Sequence, residues 1–303
     1  MEMRKDMKIY DETREIYIKN TAITLGKFNA IHLGHQRLIQ SVCGEKEKMG
    51  CETVLFSFDT SNVNGQKLIT TKEERIELCS DFGIDHMIFY PVNKETMSIE
   101  PENFIEDILV KGLDVKVVVT GQDFCFGRNR RGNIKMLERY GEKYGFKLIV
   151  AESVMVGEIK VSSSIIKEYL SEGLMEKANE LLGYKYFIMG RVSEGKHNGR
   201  IIDTRTINIT PKNEKILPKN GVYKSKTYID NEVYKSITNI GTNPTVKNDS
   251  QILVETHIFD FNQEIYNKDV KVEFEKFIRD EKKFANLQEL KSQILLDISQ
   301  ANL

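Results

Sequence analysis

Tryptophan is absent from this chain, and 303 residues hold only five prolines and four cysteines. Cys43, Cys51, Cys79 and Cys125 lie too far apart for a C-x-x-C metal or redox pair. Four thiols are also too few to staple a chain of this length, so reduced cysteines are expected. No run of about 18 apolar residues occurs, and the opening MEMRKDMKIYDETREIYIKN has no apolar signal core; the chain reads as cytoplasmic, with no membrane partner. An excess of one charge is missing too: 44 Lys+Arg face 45 Asp+Glu, giving a net charge of -1 and a pI near 6.6. That balance excludes the bulk attraction of a dedicated nucleic-acid binder, so any phosphate must be met locally. Internal repeats and low-complexity tracts are also lacking. With 40% hydrophobic and 29% charged residues, the composition is that of a folded chain, long enough for two ordinary domains or one large one.

The first half alternates short β-rich runs with amphipathic stretches. Strands are expected at 22–25, 53–58, 86–90 and 115–119, and helices at 35–49, 71–81 and 101–109, with Lys72, Glu73, Glu74 and Arg75 on a wet helix face. Strands separated by crossover helices imply a parallel sheet, whose carboxyl edge is where ligands bind. Residues 159–182 read as helical, ending at Gly183. Beyond it come β-runs at 187–192, 207–209, 221–228, 233–240, 252–261 and 270–274, most naturally an antiparallel barrel or sandwich. Phe284, Leu287, Leu290, Ile294 and Ile298 recur every three or four residues and predict a last helix against that sheet. The expected division is 1–183 and 184–303.

Gly26-Lys27-Phe28-Asn29-Ala30-Ile31-His32-Leu33-Gly34-His35 joins the first strand to the first helix. Free amides and the positive helix end at such a junction favour an anion, and Gly34 leaves room for a phosphate to approach the backbone. A lone histidine is usually a satisfied polar residue. Here two of the five histidines fall within four residues, beside glycine, where both can donate to phosphate oxygens.

The segment resembles the H-x-G-H signature of nucleotidylyltransferases and, more closely, the opening of the prokaryotic riboflavin kinase/FAD synthetase family, roughly G-x-F-D-G-x-H-x-G-H. Gly26, Phe28, His32, Gly34 and His35 match; Asn29 replaces the Asp and Ala30 the second Gly. Thr120 to Gly127 resembles the family's G-x-D/N-F-x-F-G loop and makes Asp123, Phe124 and Gly127 nucleotide candidates. Ser162, Ser163, Ser164 and Lys167 resemble I-S-S-T-x-x-R, with lysine in place of the arginine fork that meets ATP phosphates. Those hydroxyls could equally cap a helix. Where the family usually carries F-x-P-H-P near the flavin, this chain has Phe58-Asp59-Thr60-Ser61-Asn62, so Phe58 and Asp59 are the flavin candidates.

The second half is similar to the same family from Gly190-Arg191-Val192 through Asn239-Ile240-Gly241-Thr242-Asn243-Pro244-Thr245 and Glu255-Thr256-His257 to Arg279-Asp280-Glu281. The resemblance implies Glu255 as base on the ribityl hydroxyl, and Thr206 and Asn208 as holders of Mg-ATP. Asp203-Thr204-Arg205-Thr206-Ile207-Asn208 stands where the family has G-F-P-T-A-N. Asp and Arg do not readily copy the backbone shape set by glycine and proline.

Together these resemblances imply an α/β nucleotidylyltransferase unit with a Rossmann-like parallel sheet, then an all-β riboflavin-kinase-like barrel and a C-terminal helix. The leading expectation is adenylyl transfer from Mg-ATP to FMN, giving FAD, with the phosphorylation of riboflavin in the barrel in doubt. The full bifunctional enzyme is the alternative, and a catalytically weak flavin-binding regulator the third reading. Mg²⁺ is expected to arrive with the nucleotide, since no dense carboxylate cluster suggests a protein-built cage. The implied partners are small flavins and nucleotides, with the oligomeric state left open.

Overall fold

The structure, a computed structural model, describes residues 7–11, 16–61, 63, 65–193, 206–230, 232–242, 252–282 and 284–302. They form two compact units, Met1–Ser162 and Ser163–Leu303. This division lies before the two helices α5 (Ser163–Glu172) and α6 (Met175–Leu182), whereas the expected one follows them at Gly183. In the second unit, Asn179 of α6 donates its side-chain amide to the carbonyl of Phe274 in the barrel.

The first unit is a six-stranded, all-parallel sheet. Its strands are β1 (Lys8–Asp11), β2 (Thr21–Gly26), β3 (Glu52–Asp59), β4 (His86–Pro91), β5 (Val115–Gly121) and β6 (Lys147–Ala151), in the order β1-β4-β3-β2-β5-β6. The central strands are near-continuous runs of Ile, Leu, Val and Phe because both of their faces are covered. Ala22, Leu55, Met87, Val117 and Val119 pack on α1 (Leu33–Met49) through Ile39 and Val42. Ile23, Val54, Phe56 and Val118 pack on the opposite side. That side is covered by α3 (Pro101–Asn103), which continues as a π-helical stretch Phe104–Gly112. The order reverses direction about β2, so the loops after β3, β2 and β5 share one carboxyl edge.

α2 (Lys72–Cys79) opens with a capping box: the Thr71 hydroxyl accepts from the Glu74 amide while the Glu74 carboxylate accepts from the Thr71 amide. The expected wet face is corrected here, because Glu74 and Arg75 are both fully buried. The reading of 159–182 as one helix is also corrected. Met155–Val156 (β7) and Ile159–Lys160 (β8) form a small antiparallel ribbon turned by Gly157 at φ +55, and the helix starts only at Ser163. β1, α4 (Ile134–Tyr144) and β6 were not expected. β1 is a short, mostly exposed edge strand, and α4 buries only Leu137, Tyr140 and Gly141.

The second unit closes into a six-stranded antiparallel barrel. It comprises β9 (Phe187–Ser193), β10 (Thr206–Ile209), β11 (Gly221–Ile229), β12 (Glu232–Thr242), β13 (Ile252–Ile258) and β14 (Asp269–Arg279), ordered β10-β13-β12-β11-β14-β9. β9 pairs with both β14 and β10, which completes the ring. α7 (Leu287–Asn302) lies on its outside through Ile294, Ile298 and Ala301, against Val222 and Ile237. Arg279 grips the buried Asp297 of α7 with two nearly parallel bonds, at 2.8 and 2.7 Å.

Candidate active site

In the first unit, β2 runs into a turn that ends at His32, the N-cap of α1. Nδ1 of His32 accepts the backbone N–H of His35 at 3.3 Å. His32 therefore precedes the helix while His35 lies in its first turn, and their rings stack with centroids 3.7 Å apart and planes 10° from parallel. With Nδ1 of His32 used as an acceptor, the neutral ring carries its proton on Nε2. Burial lowers the pKa of His32 to about 4, and burial together with the neighbouring His32 holds His35 well below its ordinary value. Both rings are thus neutral at pH 7. Among the described residues, Nδ1 of His35 has no hydrogen-bond partner. Phe28, fully buried, supports the His35 ring at 5.0 Å.

The glycines of this turn sit in close approach to its rings. A Cβ on Gly34 would sit 3.2–3.3 Å from the His32 ring, and one on Gly26 would meet the Phe28 ring at 3.0 Å. Asn29 is buried, and its carbonyl accepts both the amide and the hydroxyl of Thr70.

The loop after β5 lies at the same sheet edge. Phe124 stacks on Phe126 at 5.6 Å and lies 6.2 Å from Phe58 at the end of β3, so one aromatic cluster brings together a nucleotide candidate and a flavin candidate. Gly127 has φ +68, and a Cβ there would lie 2.7 Å from Pro101, so no other residue fits without a shift. Asp123 is exposed, and its carboxylate pairs with Lys160 at 2.7 Å. Asp59 is buried and bound to Arg75 and Ser61, which spends its carboxylate inside the protein. Of the expected flavin stretch, Asn62 lies outside the described residues.

Ser163, Ser164 and Lys167 lie on α5 in the second unit, with Ser162 just before it. In the barrel, strand register places Glu255 directly opposite Asn208 on β10 and opposite Asn239 on β12, and His257 opposite Thr206 and Ile237. Thr206, Asn208, Glu255, His257 and Asn239 thus share one face. Burial raises the pKa of the Glu255 carboxyl. Thr206 is exposed and Asn208 buried; the altered stretch at 203–205, with Gly195, Gly199, Arg200 and 243–245, lies outside the described residues. The reading of the sequence missed Asn239 as a neighbour of Glu255, because cross-strand register is not visible in a single strand. It also missed Ser57, Thr70 and Arg75 beside the histidine turn.

The described residues hold no group of three or more His, Cys, Asp or Glu side chains that could hold a metal, and no helix long and apolar enough to cross a membrane.

The first unit is a parallel α/β fold of the FAD synthetase class, and the second a closed antiparallel barrel of the riboflavin kinase class. The FAD synthetase family model matches residues 15–165 and the riboflavin kinase model residues 182–303. A Buchnera aphidicola bifunctional riboflavin kinase/FMN adenylyltransferase is 37% identical over 92% of this chain and 91% of its own length. The protein of that name from Bacillus subtilis is 35% identical over 93% and 91%, and the one from Escherichia coli K12 31% over 91% and 90%. A solved Streptococcus pneumoniae structure, described as a macrolide-efflux protein, superposes with a TM-score of 0.88 over 98% of this chain and 99% of its own, at 24% identity, and shows the fold alone. The chain belongs to the bifunctional riboflavin kinase/FAD synthetase family.

Proposed function

We propose that this chain carries both activities: phosphorylation of riboflavin in the barrel and adenylylation of FMN in the α/β unit. The expectation of a single activity gives way to the bifunctional alternative. Relatives that span about nine-tenths of both chains are named for both reactions. The observation that carries the barrel's share is the alignment of Asn208, Glu255 and Asn239 across three neighbouring strands.

In the barrel, the terminal ribityl hydroxyl of riboflavin attacks the γ-phosphorus of Mg-ATP. The oxygen–phosphorus bond to ADP breaks, and Glu255 takes the hydroxyl proton. A carboxylate whose pKa is raised by burial is a stronger base than an exposed one, which suits that step. Thr206 and Asn208 offer neutral oxygens to the Mg-ATP complex, while the phosphates supply most of the negative charge around the ion.

In the α/β unit, a phosphate oxygen of FMN attacks the α-phosphorus of Mg-ATP in line, and pyrophosphate leaves. No covalent enzyme intermediate forms. His32 donates from Nε2, and His35 stands one ring behind it at the amide-rich start of α1; charge developing on the triphosphate is stabilised where donors already point. The aromatic cluster of Phe58 and Phe124 gives an apolar face beside that edge for a flavin or adenine ring.

Chromatography of the products tests both halves. Riboflavin and Mg-ATP without FMN give FMN first and FAD after it. Accumulation of neither, with FMN still converted to FAD, would return the chain to a single activity.

A further inference from the structure

The histidine turn is bent in a way its side chains resist. Phe28 has φ +45 and Ile31 φ +44, the left-handed region that a bulky or β-branched residue enters only at a cost. Both are fully buried. Three carbonyls of this turn are each tied down by a side chain. The Ser57 hydroxyl donates to the Lys27 carbonyl at 3.0 Å, the Thr70 hydroxyl to the Asn29 carbonyl at 2.8 Å, and the Gln36 amide to the Ile31 carbonyl at 2.8 Å.

Behind Ser57 stands Arg75, only 1% exposed. One of its nitrogens donates to the Ser57 hydroxyl oxygen at 3.0 Å and another to Asp59 at 3.2 Å, its Nε reaches the Thr71 carbonyl at 3.4 Å, and its plane lies 4.8 Å from the Phe89 ring. A guanidinium has donors and no acceptor. By filling a lone pair of the Ser57 oxygen, Arg75 leaves the single Ser57 proton to be given to the Lys27 carbonyl.

We propose that Arg75 is a positioning residue for adenylyl transfer: acting through Ser57, it fixes the strained turn that presents His32 and His35. It touches neither ring. The inference rests on the adenylyl-transfer reading above. It also assigns Asp59 as the counter-ion of Arg75 in place of a flavin ligand.

The test uses the full chain, with riboflavin phosphorylation by the barrel as an internal control. Ser57→Ala removes the relay but leaves the Arg75–Asp59 pair in place. It is expected to lower kcat for FAD formation at least about ten-fold, since displacement of about 1 Å at a reacting site can cost that much or more. Riboflavin phosphorylation stays near wild type, the melting temperature falls modestly because a buried donor loses its partner while the chain stays folded at the assay temperature, and Ser57→Thr restores kcat. Arg75→Met combined with Asp59→Asn, which leaves no bare buried charge, lowers kcat likewise. Wild-type kcat and KM in both altered chains would overturn the proposal. So would a fall in kcat that only tracks the loss of folded protein. The imidazole resonances of His32 and His35 provide a readout apart from turnover. If the wild type forms no FAD but Ser57→Ala shifts both signals, the adenylyl reading falls and the link from Ser57 to the rings stands. Unmoved signals defeat the link itself.

Discussion

Nδ1 of His32 caps the amide of His35 while the two imidazoles stack 3.7 Å apart, so one nitrogen of the His32 ring serves the helix and the other carries the proton of the neutral ring. This arrangement holds only while His32 is neutral, since protonation removes the lone pair that accepts the amide.

The first prediction follows from that. The pKa of His32 is about 4 in the folded chain against 6.5 as its ordinary value, so the unfolded chain binds more protons between these pH values. The stabilising contribution is complete above pH 6.5, falls as pH drops from 6.5 to 4, and amounts to about 3 kcal/mol for such a shift. His32→Asn keeps a capping oxygen but does not titrate. Melting curves from pH 4 to 7 are expected to show a shallower slope in His32→Asn than in the wild type, and FAD formation in that variant is expected to be lost.

Glu255→Gln is expected to abolish riboflavin phosphorylation while FMN adenylylation continues, because Glu255 faces Asn208 and Asn239 in a unit of its own. In the wild type, kcat/KM for riboflavin is expected to rise with pH through an apparent pKa above 4.5, since the proposed base would act only when ionised and burial raises its pKa. Separate assays supplied with riboflavin or FMN check both statements.

Gly127→Ala combines a positive φ with a Cβ 2.7 Å from Pro101. A loss of about 1–3 kcal/mol is expected from the backbone conformation alone. FAD formation should fall further than stability requires, because the same loop carries Phe124. Urea unfolding alongside steady-state kinetics separates the two effects.

Arg279→Met leaves the carboxylate of Asp297 buried without its guanidinium. The barrel is expected to lose on the order of 3 kcal/mol, the usual effect of stripping one partner from a buried pair. Arg279→Met with Asp297→Leu is expected to recover most of it. Denaturant midpoints followed by a probe on α7 decide the matter.

Much of the architecture was legible. Alternating strands and helices announced the parallel sheet, and turn-split β-runs announced the barrel. The histidine turn stood out because its residue types are rare and adjacent. What stayed hidden depends on pairing across distance. Arg75 reads as a surface cation in the run Lys72-Glu73-Glu74-Arg75, and only the positions of Asp59, Ser57 and Phe89 make its burial tolerable. Glu255 could be picked out from its strand, but its neighbours Asn208 and Asn239 come from strands about 47 and 16 residues earlier, set by register alone. The ribbon at Met155–Lys160 was missed because two-residue strands carry no periodicity.

The ring made when β9 bonds to both β14 and β10 leaves this ladder without a first or last strand. Peeling from a border, the easiest way to unzip an open sheet, has nowhere to begin; a seam must rupture somewhere before any neighbour is released. Slow amide exchange should therefore be shared around the circumference of the barrel, whereas in the parallel sheet it should fade outward toward the short border strand Lys8–Asp11.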